Sequence, residues 1–324
     1  MERVLKKNSK RFCVVILVLA LCIGLAFSSK LNLNTKAEEP ATGTYGDFTY
    51  KVENGEVIIT KYIGKDNAEV SIPATINGLP VTEIGESAFS GAGNRLEIVD
   101  FGERSNLKRI GKRAFYCCGL KNRNLPDSVT YIGERAFQSA GIFTLRLSKN
   151  LECIEKEAFY NTNIRRIYIP DFTKDIQIGN YIWYHEVDPR YGLTIGYSTV
   201  AIFEDGIEKI PDNMFEGLLS LSWAEIPDSV TTIGNEAFNR CTKNGGTVVI
   251  PNSVTSIGEN AFASGDWQAT VSIRPKIRCY EGSYAETYAI ENGFSYETWD
   301  GATHFTYPST FEHNKEESRN VEAK

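Results

Sequence analysis

Apolar and polar residues alternate in short stretches that recur along most of this chain. Several stretches end in proline followed by a small or acidic residue, as in Val70-Ser71-Ile72-Pro73 and Ile226-Pro227-Asp228. Alternation with a period of two is typical of a β-strand with one buried face. Proline lacks a backbone N–H and fixes φ, so it ends the strand and favours a turn. The pattern therefore predicts many short strands separated by turns.

A second phrase, Ile-Gly-x-x-Ala-Phe, follows these stretches at nearly constant intervals. It starts at Ile84, Ile110, Ile132, Ile233 and Ile257, and looser copies start at Ile154 and Ile210. Neighbouring copies are 22 to 26 residues apart, except for the 56 residues from Ile154 to Ile210. That gap holds two long coils if Ile178-Gly179-Asn180 is a degraded copy. A period of about 20–30 residues is the signature of a solenoid.

Each copy of this phrase predicts a corner followed by an inward-facing ring. The glycine is interpreted as a tight corner that needs a permissive backbone, and x-x-Ala-Phe as about one helical turn. No coil can bury such a ring alone, so stability must come from neighbours stacked about 4.8 Å apart along a parallel sheet. The expected internal column consists of Phe89, Phe115, Phe137, Phe159, Phe215, Phe238 and Phe262.

The two most regular copies, IPDSVTTIGNEAF (226–238) and IPNSVTSIGENAF (250–262), resemble the BspA-like leucine-rich repeats of bacterial surface and secreted proteins. The resemblance covers roughly residues 45–298. It departs from the family pattern at Arg123, which replaces a buried apolar residue, and at Ser148 and Glu155, which replace the proline and the glycine. Residues 171–199 do not fit a repeat. The predicted fold is a leucine-rich-repeat solenoid, mainly β with short helical turns (α/β by convention), with its parallel sheet on the concave face.

The repeats are predicted to lie between two caps that cover the open ends of the solenoid. A hairpin is expected from Phe48–Val52 and Val57–Thr60. A helix is expected near the other end, with Ser283 as its N-cap and Glu286 three residues later. The predicted segments are a signal peptide (1–28), a linker (29–44), an N-terminal cap with the start of the first coil (45–83), repeats with an irregular insertion at 171–199 (84–273), a C-terminal helix–strand cap (274–298) and a disordered tail (299–324).

The N-terminus carries the pattern of a signal peptide. Five basic residues precede the apolar run Phe12–Phe27, which is 16 residues long and so shorter than the roughly 20 of a spanning helix. Secretion or display on a bacterial cell surface is therefore expected, with an uncleaved membrane anchor as the alternative. Removal of residues 1–28 lowers the net charge from −6 to about −10. This charge opposes binding to nucleic acid, and membrane contact is expected only through the N-terminal segment.

The cysteines and histidines, which often act in catalysis or bind metals, do not form a catalytic or metal-binding pattern here. Cys118 and Cys241 fall three residues after a core Phe, in a column of mostly small residues, and are predicted to be buried free thiols. His185, His304 and His313 are scattered, with no His-x-x-x-His pair, CxxC pair, phosphate loop or GxSxG elbow. The sequence therefore predicts a protein that is not an enzyme and has no metal and no cofactor.

A ligand is expected on the side of the strands that faces away from the core. Strand alternation places Arg146, Arg166, Tyr168, Trp223 and Glu225 there, and a last strand is expected around residues 270–272. Arg, Tyr and Trp are enriched at binding hot spots. The segment 171–199 is rich in aromatic residues, including Trp183 and Tyr184. It is either a binding loop on this surface or a coil whose aromatic residues repair a defective core.

Two functions of different kinds follow from these observations. The family resemblance implies a binding module that contacts an extracellular protein, in adhesion or another protein–protein interaction. The aromatic residues of 171–199 suggest the alternative, an extracellular protein that binds glycans or targets a substrate.

Overall fold

The structure is a computed structural model that describes residues 41–65, 68–184, 198–242, 245–263 and 274–299. The predicted signal peptide, most of the predicted linker and nearly all of the predicted tail lie outside the described residues. All described elements belong to one compact unit that begins at Thr42. Within the described ranges, no helix has the length and apolar character needed to cross a membrane.

The described residues form 22 short strands, one α-helix and one short 3₁₀ helix. In chain order these are β1 Thr42–Tyr45, β2 Phe48–Glu53, β3 Glu56–Tyr62, β4 Glu69–Ser71, β5 Thr75–Ile76, β6 Leu79–Ile84, the 3₁₀ helix Gly93–Arg95, β7 Ile98–Asp100, β8 Arg109–Ile110, β9 Asn122–Asn124, β10 Tyr131–Ile132, β11 Thr144–Arg146, β12 Cys153–Ile154, β13 Arg166–Ile169, β14 Gln177–Ile178, β15 Thr199–Phe203, β16 Lys209–Ile210, β17 Leu221–Glu225, β18 Thr232–Ile233, β19 Thr247–Ile250, β20 Ser256–Ile257, β21 Lys276–Tyr280, α1 Tyr284–Glu291 and β22 Tyr296–Trp299.

Eight strands lie side by side in one parallel sheet, here named the long-strand sheet. Its order is β9-β11-β13-β15-β17-β19-β21-β22, and every neighbouring pair is parallel. The core-facing positions of this sheet, such as Leu145, Ile167 and Ala224, are fully buried. The expected strand around residues 270–272 lies outside the described residues.

Each regular coil contributes a second, shorter strand just before the glycine. β6, β8, β10, β12 and β14 pair in that order, and β16, β18 and β20 form a separate sheet. At the N-terminal end of the first of these sheets, β1, β2 and β3 pair antiparallel. The hairpin predicted over residues 48–60 is therefore present, and β3 joins it to β6 in parallel.

The glycine after each short strand has a different role from the predicted one. A Cβ on Gly111 would lie 2.9 Å from the carbonyl carbon of Gly85 and 2.9 Å from the Ile84 oxygen. A Cβ on Gly133 would lie 2.8 Å from the Lys112 nitrogen. These positions require glycine because the backbones of neighbouring coils approach closely there, and not because of a left-handed φ.

The left-handed conformation lies two residues after the glycine, which contradicts the predicted helical turn. φ is between 51° and 59° at all eight equivalent positions: Ser87, Arg113, Arg135, Glu157, Tyr181, Asn213, Glu236 and Asn260. An α-helix needs φ near −63°. The backbone N–H groups of this turn instead donate to the next coil, as from Phe115 to Ala136 O at 2.7 Å and from Phe137 to Ala158 O at 2.7 Å. The turns therefore form a third ladder between coils, beside the two kinds of sheet.

The predicted aromatic column is confirmed. All seven phenylalanines are fully buried. The ring centroids of Phe115 and Phe137, and those of Phe137 and Phe159, are 5.2 Å apart and the rings are nearly parallel. In the C-terminal half, Phe238 stacks on Phe262 at 5.1 Å. Such offset ring pairs stabilise a core beyond the area that they bury.

The degraded copy at Ile178-Gly179 forms a genuine coil. The first part of the segment 171–199 therefore follows the repeat, although the sequence suggested that it does not. β14 pairs with β12, and the Phe159 N–H donates to Ile182 O at 2.8 Å. Ile182 and Trp183 thus take the places of the alanine and the phenylalanine. The regular pattern resumes at β15, and residues 185–197 between them lie outside the described residues.

The C-terminal helix begins where the sequence predicted. Ser283 Oγ accepts a hydrogen bond from the Glu286 N–H at 3.2 Å, and Glu286 Oε2 accepts one from the Gly282 N–H at 2.6 Å. The first bond is that of a capping box, while the second goes to Gly282, the residue before the N-cap, instead of to Ser283. The helix packs beside the last coil, and β22 then adds to the long-strand sheet in parallel with β21.

Candidate functional site

The candidate site is the outer face of the long-strand sheet, meaning the side chains that alternate with the buried ones. Arg166 on β13 pairs with Val200 on β15, and Val200 pairs with Trp223 on β17. One row thus runs across three strands. Tyr168 pairs with Ile202, and Glu225 pairs with Val249, in a second row on the same face. The structure therefore brings Arg166, Tyr168, Trp223 and Glu225 onto one surface, roughly 10 Å apart across β15.

An apolar cluster occupies the C-terminal part of this face and is separate from the main core. It consists of Val200, Ile202, Trp223, Val249 and Trp299, here named the outer cluster. The guanidinium of Arg278 lies over the Trp223 ring at 5.6 Å, and the rings of Tyr280 and Trp299 are 4.4 Å apart. Trp223 lies on the predicted face, but only 5% of its surface is exposed. Although the sequence placed Trp223 among the ligand-binding residues, it exposes almost none of its ring to a partner.

Arg146 is held by carboxylates of its own chain. Its Nε and a terminal nitrogen donate to the two Glu204 oxygens at 2.7 and 3.1 Å, and the other terminal nitrogen donates to Asp127 at 3.2 Å. Burial opposes the ionisation of Asp127, but bonds from the Lys149 N–H and the Arg146 side chain outweigh it and lower the pKa of Asp127. Arg146 was expected among the ligand-binding residues; here its guanidinium ties three coils together through carboxylates of its own chain.

Trp183 is not on this surface. Its ring stacks on Phe159 at 4.8 Å, its indole N–H donates to Met214 O at 2.6 Å, and 1% of its surface is exposed. The prediction that Trp183 contacts a ligand is wrong, because the residue fills the phenylalanine position of a coil. The alternative interpretation, that an aromatic residue of 171–199 repairs the core, is correct for Trp183.

Tyr184 lies on the turn side of the coils and not on the sheet. Its ring is 5.9 Å from that of Tyr160 and 5.7 Å from that of Tyr181. Gly217 faces it, since a Cβ on this glycine would lie 3.6 Å from the Tyr184 ring. The residues expected to bind a ligand therefore do not form a single patch. Some lie on the sheet face, and Tyr184 lies in a separate group of tyrosines.

Glu216 lies next to these tyrosines and is 5% exposed. One of its carboxylate oxygens accepts a hydrogen bond from the Tyr181 N–H at 3.4 Å. Burial raises the pKa of the Glu216 carboxyl, and the bond from Tyr181 only partly opposes this. The residue links the degraded coil to the following one across the segment 185–197.

One acceptor on the outer face is not satisfied by the described residues. Oε2 of Glu225 is buried and accepts no hydrogen bond there. Buried carboxylate oxygens normally have a donor.

The thiols offer little reactivity. Cys117, Cys118, Cys153, Cys241 and Cys279 are free thiols, and the predicted burial of Cys118 and Cys241 is confirmed. Burial raises the pKa of Cys241 far above its usual range and that of Cys279 to about 11. The described residues also contain no group of three or more metal-ligating side chains.

Sequence reasoning missed most of the outer cluster. Val200 and Ile202 lie on β15, just after the segment assigned to an insertion. Arg278 lies in the predicted C-terminal cap, and Trp299 is the first residue of the predicted tail. A usable signal existed in Thr199–Phe203, a run rich in β-branched and aromatic residues. The run is apolar on both faces, so it lacks the alternation that marked the other strands.

A comparison with protein families matches most of these coils. The model of the BspA type leucine rich repeat region matches residues 66–187 and 197–295 in six copies. No curated protein sequence matches the chain.

Several solved structures of leucine-rich repeat proteins align with the chain at low identity. A leucine rich cell surface protein from Faecalibacterium prausnitzii is 20% identical over 78% of this chain and 98% of its own, with a TM-score of 0.26. The pneumococcal vaccine antigen PcpA is 16% identical over 81% of this chain and 99% of its own, with a TM-score of 0.33. A leucine-rich repeat protein from Bacteroides ovatus is 18% identical over 80% of this chain and 100% of its own, with a TM-score of 0.26.

Proposed function

The chain belongs to the BspA-type leucine-rich repeat proteins, and from this premise we propose that it is a secreted or cell-surface module that binds an extracellular protein. Leucine-rich repeats of this type are general protein-interaction modules and are typically not catalytic. The proposal adds the location outside the cell and the surface that is used. The proposed partner is the surface of another protein, and binding to it requires no cofactor.

The observation that carries the proposal is the register of the outer face. Arg166 and Tyr168 lie on one strand and Glu225 two strands away, with the outer cluster between and beside them. All three side chains are half-buried, so they are both held in place and accessible. An Arg and a Tyr next to a buried apolar centre form the composition of a protein-binding hot spot.

The location outside the cell is supported by the N-terminal sequence. Basic residues precede the apolar run Phe12–Phe27, in the order of a signal peptide. Mass spectrometry of the N-terminus of the extracellular form tests this directly. A mature chain that begins near residue 29 supports secretion, whereas an intact N-terminus in the membrane fraction supports the anchor.

The binding surface is tested by photo-crosslinking from within the outer face. We would place benzoylphenylalanine at position 168 of the mature chain, expose it to the extracellular material of its native environment, and identify the crosslinked protein. Affinity for that purified protein is then measured by biolayer interferometry. Arg166→Glu and Tyr168→Ala should each weaken binding at least ten-fold, because hot-spot truncations cost about 2 kcal/mol or more.

Thr144→Ala on the same face is the matched control and should change affinity less than two-fold. Equal affinities for all variants would show that the sheet face is not the binding surface. A glycan array run in parallel tests the other function. Binding to a glycan, with no crosslinked protein, would favour the glycan-binding alternative.

A further inference from the structure

The contacts between successive coils change at a junction in the middle of the array. It lies between the coil of β13 and β14, which ends at Tyr184, and the coil of β15 and β16, and is here named the mid-array junction. The strands, turns and core rings considered on both sides belong to the described residues. In a solenoid each coil contacts only its neighbours, so the stability of the array is a sum over such interfaces. An interface with fewer regular contacts is therefore the place where the array yields first.

The short strands do not pair across the mid-array junction. β14 is the last strand of the first short-strand sheet, and β16 is the first strand of the other. An ion pair between Lys209 and Asp175 at 3.5 Å joins the two coils here, but the side chains are 49% and 94% exposed. Exposed ion pairs contribute little to stability. The short-strand side of the junction is therefore weakly held.

The hydrogen bonds between turns also change at this junction. In a regular coil the amide of the left-handed residue donates to a backbone oxygen of the next coil, as from Glu157 to Asn180 O at 3.2 Å. The equivalent amide at the junction is that of Tyr181, and it donates to the Glu216 side chain at 3.4 Å. Trp183 crosses the junction with its indole N–H. Two bonds that involve side chains thus stand where the other turns have a backbone ladder.

The stack of core rings is divided at the same place. Trp183 stacks on Phe159 at 4.8 Å, and Phe215 stacks on Phe238 at 4.9 Å. Within the described part of the chain, no ring contact joins Trp183 to Phe215. Phe215 instead meets Phe203 edge-on at 6.0 Å. Each half of the solenoid therefore has its own ring column.

Only the long-strand sheet keeps its regular backbone pairing through the junction, as far as the described residues show. β13 pairs with β15 over four residues, from Arg166 with Val200 to Ile169 with Phe203. The Thr199 hydroxyl reinforces this pair by donating to Ile164 O at 2.6 Å. The two halves are thus joined firmly at the sheet and loosely at the short strands and turns.

We propose that the solenoid bends at the mid-array junction, with the β13–β15 pair as the hinge between two stiff halves. The short strands and turns separate while the strand pair remains intact, which is a hinge motion between packed layers. Because the opening side lies across the core from the sheet, it tilts the outer faces of the two halves towards each other.

This inference goes beyond the proposed function, because it concerns the shape of the binding surface rather than its use. Arg166 and Tyr168 lie on the N-terminal half, and Glu225 lies on the other half. Bending changes the distance between these two parts of the outer face. A partner that contacts both parts binds one angle better than the others and so selects it.

The hinge is tested by double electron–electron resonance between nitroxide labels on the mature chain. One pair crosses the junction and consists of Cys153 and Ser256→Cys. The matched pair lies within the N-terminal half and consists of Glu83→Cys and Gln177→Cys. All four positions stand one residue before the isoleucine of a short strand. Each pair spans four coil spacings, which is roughly 19 Å.

The other thiols are kept from reacting. Cys117 is replaced by serine in both chains, and Cys153 also in the matched chain, while Cys118, Cys241 and Cys279 are buried. The distance distribution across the junction should be at least twice as wide at half height as that of the matched pair. A smaller ratio would show that the solenoid is equally stiff throughout and would overturn the proposal.

A second cross-junction pair, Gln177→Cys and Ser256→Cys, leaves position 153 unlabelled. Its distribution should be as wide as that of the first cross-junction pair. A narrow distribution here would assign the first result to the label at Cys153 and would also overturn the hinge. Neither measurement requires a partner, so failure of the hinge is separate from failure of the proposed binding function.

Discussion

Trp183 stacks on Phe159 with their ring centroids 4.8 Å apart and their planes 19° from parallel. Trp183 occupies the place that phenylalanine takes in the regular coils, and it also reaches the next coil by donating from its indole to Met214 O. Trp183 therefore continues the aromatic column into the coil where the repeat is degraded.

Replacement of Trp183 should weaken folding and not recognition. Trp183→Ala leaves a large cavity and should lower the free energy of unfolding by about 3–5 kcal/mol. Trp183→Phe keeps the stack but loses the bond to Met214 and some volume, so a loss of about 1–2 kcal/mol is expected. Urea denaturation followed by circular dichroism measures both. A loss below 1 kcal/mol for Trp183→Ala would contradict the buried placement.

This coil shows what the sequence could predict and what it could not. The column was predictable because each Phe stands at a fixed distance from an Ile-Gly pair. Trp183 stands at the same distance from Ile178-Gly179. Its burial could therefore have been predicted by allowing tryptophan at the phenylalanine position. The surface position assigned to it came from treating the segment as an insertion.

The handedness of the turns could not be predicted from local sequence. Ser87, Arg113 and Glu157 share the same left-handed φ but no common side-chain chemistry. Their conformation is set by hydrogen bonds to the next coil, and such bonds leave no pattern within one repeat. The outer cluster was missed for a related reason, since β15 is apolar on both faces and lost its alternation.

Ser87 offers a test of this left-handed turn. Its φ is 55°, a conformation that disfavours side chains with a Cβ by about 1–2 kcal/mol. Ser87→Gly removes this strain but adds freedom to the unfolded chain, so a net stabilisation of about 0.5 kcal/mol is expected. Ser87→Val should be destabilising by more than 1 kcal/mol, because a β-branched side chain is the poorest fit to this region. The opposite order in thermal melts would show that the turn has another conformation.

Glu216 should make stability depend on pH. Burial raises its pKa above the ordinary value of 4.5, so the folded chain holds the proton more tightly than the unfolded chain. The stability from this group is complete below pH 4.5 and is lost as pH rises through the folded pKa. Glu216→Gln mimics the protonated form and should stabilise the chain by about 1 kcal/mol at pH 7, with no gain at pH 4. The measurement is urea denaturation between pH 4 and pH 8.

The control for Glu216 is Glu103→Gln, at an exposed position where the side chain is solvated in both states. Its effect should remain small across the same pH range. A gain for Glu216→Gln that did not grow with pH would show that the carboxyl is not buried in the folded chain.

The thiols should react in the order of their exposure. Thiolate is the reactive form, and burial in apolar surroundings suppresses it. Cys118 and Cys241 should remain unmodified by iodoacetamide at pH 8 until the chain unfolds, while the partly exposed Cys117 should be labelled first. Mass spectrometry of tryptic peptides at successive times gives the order. Early labelling of Cys241 would contradict its place in the core.

Arg146 should matter for stability and not for binding, in contrast to Arg166 on the neighbouring strand. Its bonds to Glu204 and Asp127 link coils that are distant in sequence. Because these side chains are about one third exposed, solvent screens the ion pairs, and a double-mutant cycle of Arg146→Ala and Glu204→Ala should give a coupling of about 0.5–1 kcal/mol. The coupling should fall in 1 M salt, because screening weakens such pairs further. The affinity of the Arg146→Ala variant for the crosslinked partner should stay within two-fold of that of the unmodified chain. A ten-fold loss of affinity would show that Arg146 is part of the binding surface.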